Sequence, residues 1–119
     1  MATLYRTRRV QLDVSPNQIV LATAPQTIAL VGYRIYNPNT SDCFVGLDDA
    51  TSGSVIVGTT PTSFGRLLVP ASSEVVERSG TQSDPLFNFN TAISAFAATT
   101  QTGNTSPTSQ LTIELFYYK

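Results

Sequence analysis

Histidine is missing from this chain, and cysteine occurs once. Without imidazole there is no ordinary neutral-pH base and no histidine ligand for a metal. The Ser-His-Asp and Cys-His hydrolytic arrangements are excluded with it. One thiol, Cys43, can form neither an intrachain disulfide nor a thiolate zinc cluster, and its place beside Phe44 at a strand start predicts a half-buried, unreactive state. Apolar runs are too short to cross a bilayer. The amino terminus carries Arg6, Arg8 and Arg9 in a strand-like segment instead of a basic start followed by an apolar run, which predicts no secretory leader. Asn39-Thr40-Ser41 and Asn104-Thr105-Ser106 match the glycosylation pattern and read, without such a leader, as ordinary loop composition. The sequence contains no Gly-x-Ser-x-Gly elbow, no glycine-rich phosphate loop followed by lysine and no dinucleotide fingerprint.

Charge is also sparse. Seven Lys and Arg stand against eight Asp and Glu, charged residues make up 13% of the 119, and the formal net charge is -1. Nucleic-acid binding needs a field of cations to neutralise phosphates. The one cluster, Arg6, Arg8 and Arg9, is too small for that and reads as a charged amino-terminal arm or edge. What takes the place of charge is neutral polarity: 29 Ser and Thr. A surface of low net charge resists self-association weakly, so a chain of this composition suits life inside an assembly.

Length gives a single domain over residues 1–119. No helix of ordinary length is visible. Alternation of apolar and polar residues with period two marks strands, and about eight are expected, with one further piece undecided. They are Leu4 to Val14, Ile19 to Ala22, Thr27 to Tyr36, Cys43 to Leu47, Ser54 to Val57, Phe64 to Val69, Glu74 to Arg78, Asn90 to Thr99, and the closing Leu111 to Tyr118; the brief Ser54 to Val57 piece is either a strand or a turn edge. Ala29, Val31, Tyr33 and Ile35 are expected to face the core, with Leu30, Gly32, Arg34 and Tyr36 outward. Cys43, Val45 and Leu47 form a second inward row. Asn37 to Asp42 has turn formers at nearly every position, which predicts an antiparallel hairpin between the flanking strands. Thr100 to Ser109 has no apolar residue except proline and is expected to be the least constrained loop. Short strands separated by Gly, Pro, Ser, Thr and Asn turns predict an all-β fold, two antiparallel sheets in a β-sandwich, jelly-roll-like in wiring.

Three chemistries could draw on the carboxylates. A glycosidase needs only an acid and a base or nucleophile at the right separation, but most of the eight acids fall at turns, where they are expected to be solvated. Asp48 and Asp49 are adjacent and point to opposite sides of an extended backbone, poor geometry for sharing a proton or metal. They read instead as local acceptors for backbone N–H groups at a turn. Calcium would need loop oxygens that converge, and nothing resembles a spaced acidic loop. No catalytic residue, cofactor or metal is therefore expected.

The aromatics are too many for one row of a small sheet. Phe116 and Tyr118 share one face of the last strand while Tyr117 takes the other, which leaves rings for something outside the core. A sugar-stacking platform is one use; a protein interface fits better with the neutral surroundings. Tyr36, Phe116, Tyr118 and Arg34 are the expected interface residues, with Arg6, Arg8 and Arg9 beside them.

Several stretches, taken in order, carry a resemblance: Tyr36-Asn37-Pro38-Asn39, Phe44 to Ala50, Gly58-Thr59-Thr60-Pro61, Leu67 to Ala71, Ala97 to Thr100 with Thr102 to Pro107, and the ending Leu115-Phe116-Tyr117-Tyr118-Lys119. From about residue 30 onward the chain resembles small β-sandwich proteins encoded among the virion genes of tailed bacteriophages and related prophages. The resemblance implies a non-enzymatic virion structural protein made in the host cytoplasm, first a capsid decoration (cement) protein on the capsid surface. It implies the major capsid protein or other virion proteins as partners, a homotrimer, and no nucleic acid or membrane. The alternatives are a tail or fibre attachment protein and, from a different class, a carbohydrate-binding adhesion module.

Overall fold

The computed structural model describes residues 2–119. Ten strands form: β1 Leu4–Arg6, β2 Val10–Leu12, β3 Asn17–Leu21, β4 Ile28–Asn37, β5 Cys43–Asp49, β6 Arg66–Val69, β7 Ser73–Glu77, β8 Phe87–Phe89, β9 Ala92–Ala98 and β10 Leu111–Tyr118. The only helical piece among the described residues is a single 3-10 turn, Ser52–Ser54. The expectation of an all-β sandwich of two antiparallel sheets holds.

The first sheet runs β1-β10-β4-β7, with β2 on β10 beyond the end of β1 and β8 on β4 beyond the end of β7. The second runs β3-β9-β5-β6. The chain changes sheet between β2 and β3, β3 and β4, β4 and β5, β6 and β7, β8 and β9, and β9 and β10. Between the layers lies one apolar core. Leu12, Ile28, Leu30, Tyr33, Ile35, Phe89, Leu111, Ile113 and Leu115 come from the first sheet, and Val20, Cys43, Val45, Leu47, Val69, Ile93, Ala95 and Ala97 from the second. The small Ala95 and Ala97 are completely buried, so the facing sheet approaches β9 closely.

The expected hairpin across Asn37 to Asp42 does not form. β4 and β5 belong to different sheets, and the turn is a corner between layers. Its reason lies in two buried asparagines. The Asn37 amide donates to the carbonyls of Ser41 and Val69 at 3.0 and 3.1 Å. Asn39 donates to the Ser109 carbonyl and accepts from the Ser109 N–H, at 2.9 and 2.8 Å. These bonds reach 70 residues along the chain and tie the corner to both layers. Asn39, half of one glycosylation pattern, is thus an internal structural residue.

The inward row of β4 also differs from expectation, because the β4–β10 ladder shifts register between Phe116 and Tyr117: Phe116 faces Gly32 and Tyr117 faces Leu30, leaving Val31 as an extra residue. A bulge of this kind inverts the side-chain parity beyond it. Ile28 and Leu30 therefore join Tyr33 and Ile35 in the main core, Ala29 is left out of it, and the bulged Val31 is buried outside that cluster. Leu4 to Val14 is two strands, since the Thr7 hydroxyl takes the place of a backbone acceptor for the Leu115 N–H at 2.8 Å. Ser54 to Val57 is not a strand; Val55 and Val57 instead bury against Phe96. Phe64 precedes its strand, stacked on Phe87 with ring centroids 4.6 Å apart. Cys43 is fully buried, deeper than expected, and burial pushes its thiol up despite the Asn37 and Asn39 side chains.

Candidate functional site

Each sheet has an outer face, and the two are built differently. On the second sheet, Phe96 and Ala98 are covered by Val55, Val57, Val14 and Ala50 from the chain's own connections. Arg66 lies over the Phe96 ring at 4.8 Å and donates to the carbonyls of Thr100 and Gly103 at 2.8 and 2.9 Å. The Thr100 to Ser109 loop, expected to be the least constrained, is held at one end by Arg66 and at the other by Asn39.

The outer face of the first sheet carries no such cover, and six of the seven expected site residues meet there. Neighbouring-strand register sets them in three rows. In one, Thr112 of β10 stands opposite Tyr36 of β4, which stands opposite Glu74 of β7. In the next, Glu114 faces Arg34, which faces Val76. In the third, Arg6 of β1 faces Phe116, which faces Gly32. Tyr118 continues the line between Leu4 and Ala29. Arg9, just ahead of β2, lines one shallow cavity with Arg34, Tyr36, Glu74 and Glu114. Arg8 is exposed and has no ion pair among the described residues. Nothing ties it to this face.

Glu114 is the hub. Its carboxylate is only 5% exposed and accepts from Arg6 Nη2 at 3.0 Å, Arg6 Nε at 3.2 Å and Arg9 Nε at 3.1 Å. Burial pushes this carboxyl up, and the Arg9 hydrogen bond and the Arg6 charge outweigh it, so the group is held below the usual range. Arg34 pairs with Glu74 at 3.2 Å. Tyr36 and Val76 remain 42% and 49% exposed between these pairs. Two residues that sequence reasoning missed complete the face: Val76, hidden in a Glu-Val-Val-Glu-Arg run that alternation alone does not orient, and Arg78, whose guanidinium sits 4.2 Å from the Phe116 ring centre.

Most of the eight acids keep solvent access, as expected; two, Glu114 and Asp48, are buried. Asp48 and Asp49 are structural acceptors, but not local ones. Asp48 accepts from the Ser63 N–H at 2.9 Å. Asp49 accepts from the N–H groups of Asn90 and Thr91 at 3.0 and 2.8 Å, anchoring the entry to β9. Among the described residues no three His, Cys, Asp or Glu side chains gather as a metal site would require. No described helix is long and apolar enough to cross a membrane. No protein-family model matches the chain, and no curated protein matches it.

Proposed function

We propose that this protein is a non-enzymatic virion component, a capsid decoration protein that docks on the shell through the outer face of its first sheet. The observation that carries this reading is the contrast in cover: on one outer face the chain's own connections bury Phe96 and Ala98 and leave Leu21 and Leu68 exposed on the edge strands, whereas the other exposes Tyr36, Val76 and Leu4 among ion pairs. Exposed Tyr36 with arginines beside it matches the aromatic and arginine enrichment of protein interfaces. Prearranged charges lose little freedom on binding. The order β2-β10-β4-β7 facing β3-β9-β5-β6, with six changes of sheet, supports the finer reading of a jelly roll, a wiring used by viral capsid and lectin domains. Three copies around a shell axis would multiply contacts that are individually modest.

The test is co-sedimentation with purified shells that lack the protein. Wild type is expected to bind saturably, and Tyr36→Ala combined with Val76→Asp to lose at least tenfold in affinity. Wild type that stays in the supernatant sinks the proposal. Sedimentation equilibrium at three times the chain mass is the expected oligomer result.

A carbohydrate-binding module is the second reading, favoured by the same exposed Tyr36. A reproducible glycan-array signal, lost in Tyr36→Ala or Tyr118→Ala, would replace the docking proposal with it.

A further inference from the structure

The face just described contains a built feature that the docking reading does not use. Phe116 on β10 and Arg78 after β7 are separated by β4, and they touch only because the intervening residue is Gly32. A Cβ at Gly32 would stand 2.8 Å from the Glu77 carbonyl oxygen and 3.3 Å from Arg78 Cγ, so a side chain there would fill the gap. Across this gap the Arg78 guanidinium lies 4.2 Å from the Phe116 ring centre, and Arg6 reaches the same ring from the other side at 5.8 Å. Arg34 and Val76 close the remaining walls of a cavity of about 100 Å³. Two guanidinium groups, Arg6 and Arg78, lie against one aromatic ring, and a third arginine lines the same cavity.

Their pairing is unequal. Arg6 is engaged with Glu114 and Arg34 with Glu74. Arg78 has neither an ion pair nor a side-chain hydrogen bond among the described residues, because the adjacent Glu77 stands in register with the core-facing Tyr33 and accepts from the Ser79 N–H at 3.0 Å. Four arginines, Arg6, Arg9, Arg34 and Arg78, against two glutamates, Glu74 and Glu114, give this face a net of two positive charges on a chain whose formal charge is -1. The rest of the surface is therefore negative.

We infer that this trough is a carboxylate-binding site, and that its ligand is a glutamate or aspartate side chain on an acidic segment of the partner protein. The inference rests on the docking reading and names its chemistry. A planar guanidinium presents a two-pronged donor that fits a carboxylate. Val76 and the edge of Phe116 supply an apolar wall for the methylene stem of an acidic side chain, which a bare inorganic anion lacks. A polyanion is disfavoured, since Glu74 and Glu114 interrupt the cations and the remaining surface repels a long run of phosphates.

The test uses the full-length, nitrogen-15-labelled protein and four probes at equal ionic strength: hexaglutamate peptide, hexaglutamine peptide, inorganic phosphate and an oligogalacturonate. Hexaglutamate is expected to shift the Arg78 side-chain N–H and the amides of Gly32, Val76 and Phe116 saturably, and hexaglutamine is not. Arg78→Gln, a surface change, should weaken hexaglutamate at least tenfold; Arg78→Lys, which keeps charge but loses the planar fork, should fall between. No saturable shift from hexaglutamate, equal binding of hexaglutamine, undiminished binding in Arg78→Gln, or tighter binding of phosphate or oligogalacturonate would each overturn the inference. Shell co-sedimentation separates the two readings. Shells that bind Arg78→Gln as well as wild type overturn the carboxylate site and leave docking intact, whereas selective hexaglutamate binding by a protein that ignores shells supports the site and removes docking.

Discussion

The two outer faces of this sandwich handle exposed sheet surface in opposite ways. Over the second sheet the chain folds its own 3-10 turn and loops across Phe96, making a small second core, and Arg66 seals it by stacking on the ring and gripping two loop carbonyls. That cover ends short of Leu68, which stays 52% exposed opposite Phe44. Over the first sheet nothing is laid down. Side chains there bind one another sideways instead, arginine to glutamate and arginine to ring. The open face is the one left for a partner: Phe96 has its neighbours already, while Tyr36 and Val76 stay exposed among paired charges.

The largest expected break in that comparison is Phe96→Ala. Removing a fully buried ring from the second cluster should cost about 3–5 kcal/mol in urea unfolding, through lost burial and the cavity left behind. Tyr36→Ala on the open face should stay within about 0.5 kcal/mol, as surface changes do. Similar losses at both positions would erase the distinction between the faces.

Next in size is the double variant Arg6→Ala with Arg9→Ala. It strips both cations from the Glu114 carboxylate, at a cost of about 2 kcal/mol near neutral pH, less than for a fully buried pair because both arginines are more than half exposed. In wild type the folded carboxyl is held below its ordinary 4.5, so its contribution is present above that value and lost as pH falls through the lower, folded one. In the variant the partners that lower it are gone, so this contribution is absent. The stability gap between the two proteins should therefore narrow on acidification, measured by urea unfolding at neutral pH and again below pH 4. A gap that stays constant would assign the loss to arginine packing and not to charge.

Much of this was legible in the residues because alternation needs only an unbroken ladder. β10 shows it plainly: Leu111, Ile113 and Leu115 face the core and Glu114 and Phe116 do not. The same parity put Arg34, Tyr36, Phe116 and Tyr118 on one surface. β4 misled halfway along, since one extra residue at Val31 inverts every side chain before it and leaves no mark in composition. Turn chemistry also under-determined the corner at Asn37: asparagine and proline announce a reversal, but whether the next strand pairs or crosses depends on Val69 and Ser109, far away in sequence. Arg78 was missed because its place over Phe116 depends on a glycine of the strand between them, outside either pattern. Arg8 shared a sequence neighbourhood with Arg6 and Arg9, not a partner.

Gly46→Ala sharpens the picture of the covered face. A Cβ there would lie 2.3 Å from Phe96 Cζ and 2.4 Å from Cε1, so the ring must move beneath cover that is already closed. Overpacking of this kind should cost about 1–3 kcal/mol. Gly53→Ala, where an added Cβ meets nothing within 4 Å, is the matched control and should change little. Equal unfolding midpoints for the two variants would mean that the cover over Phe96 is loose.

Asp48 gives the smallest effect and the most direct question about how that cover is held. Its Oδ1 accepts from the Ser63 N–H at 2.9 Å, whereas its Oδ2 is buried with no hydrogen-bond partner. Burial pushes the carboxyl above its ordinary 3.8, only partly opposed by the Ser63 bonds and the Arg66 charge. A carboxyl raised on folding contributes stability that is full below the unfolded value and lost as pH rises through the folded one, so ionised Asp48 weakens the fold at neutral pH. Asp48→Asn keeps the Oδ1 acceptor and cannot ionise. It should be the more stable form near pH 7, with the gain vanishing below pH 3.8. If the asparagine variant is instead the less stable at pH 7, the carboxylate is working as a charge partner for Arg66. The covered face would then be held by ion pairing, just as the open one is, and the contrast between them would narrow to which charges happen to be buried.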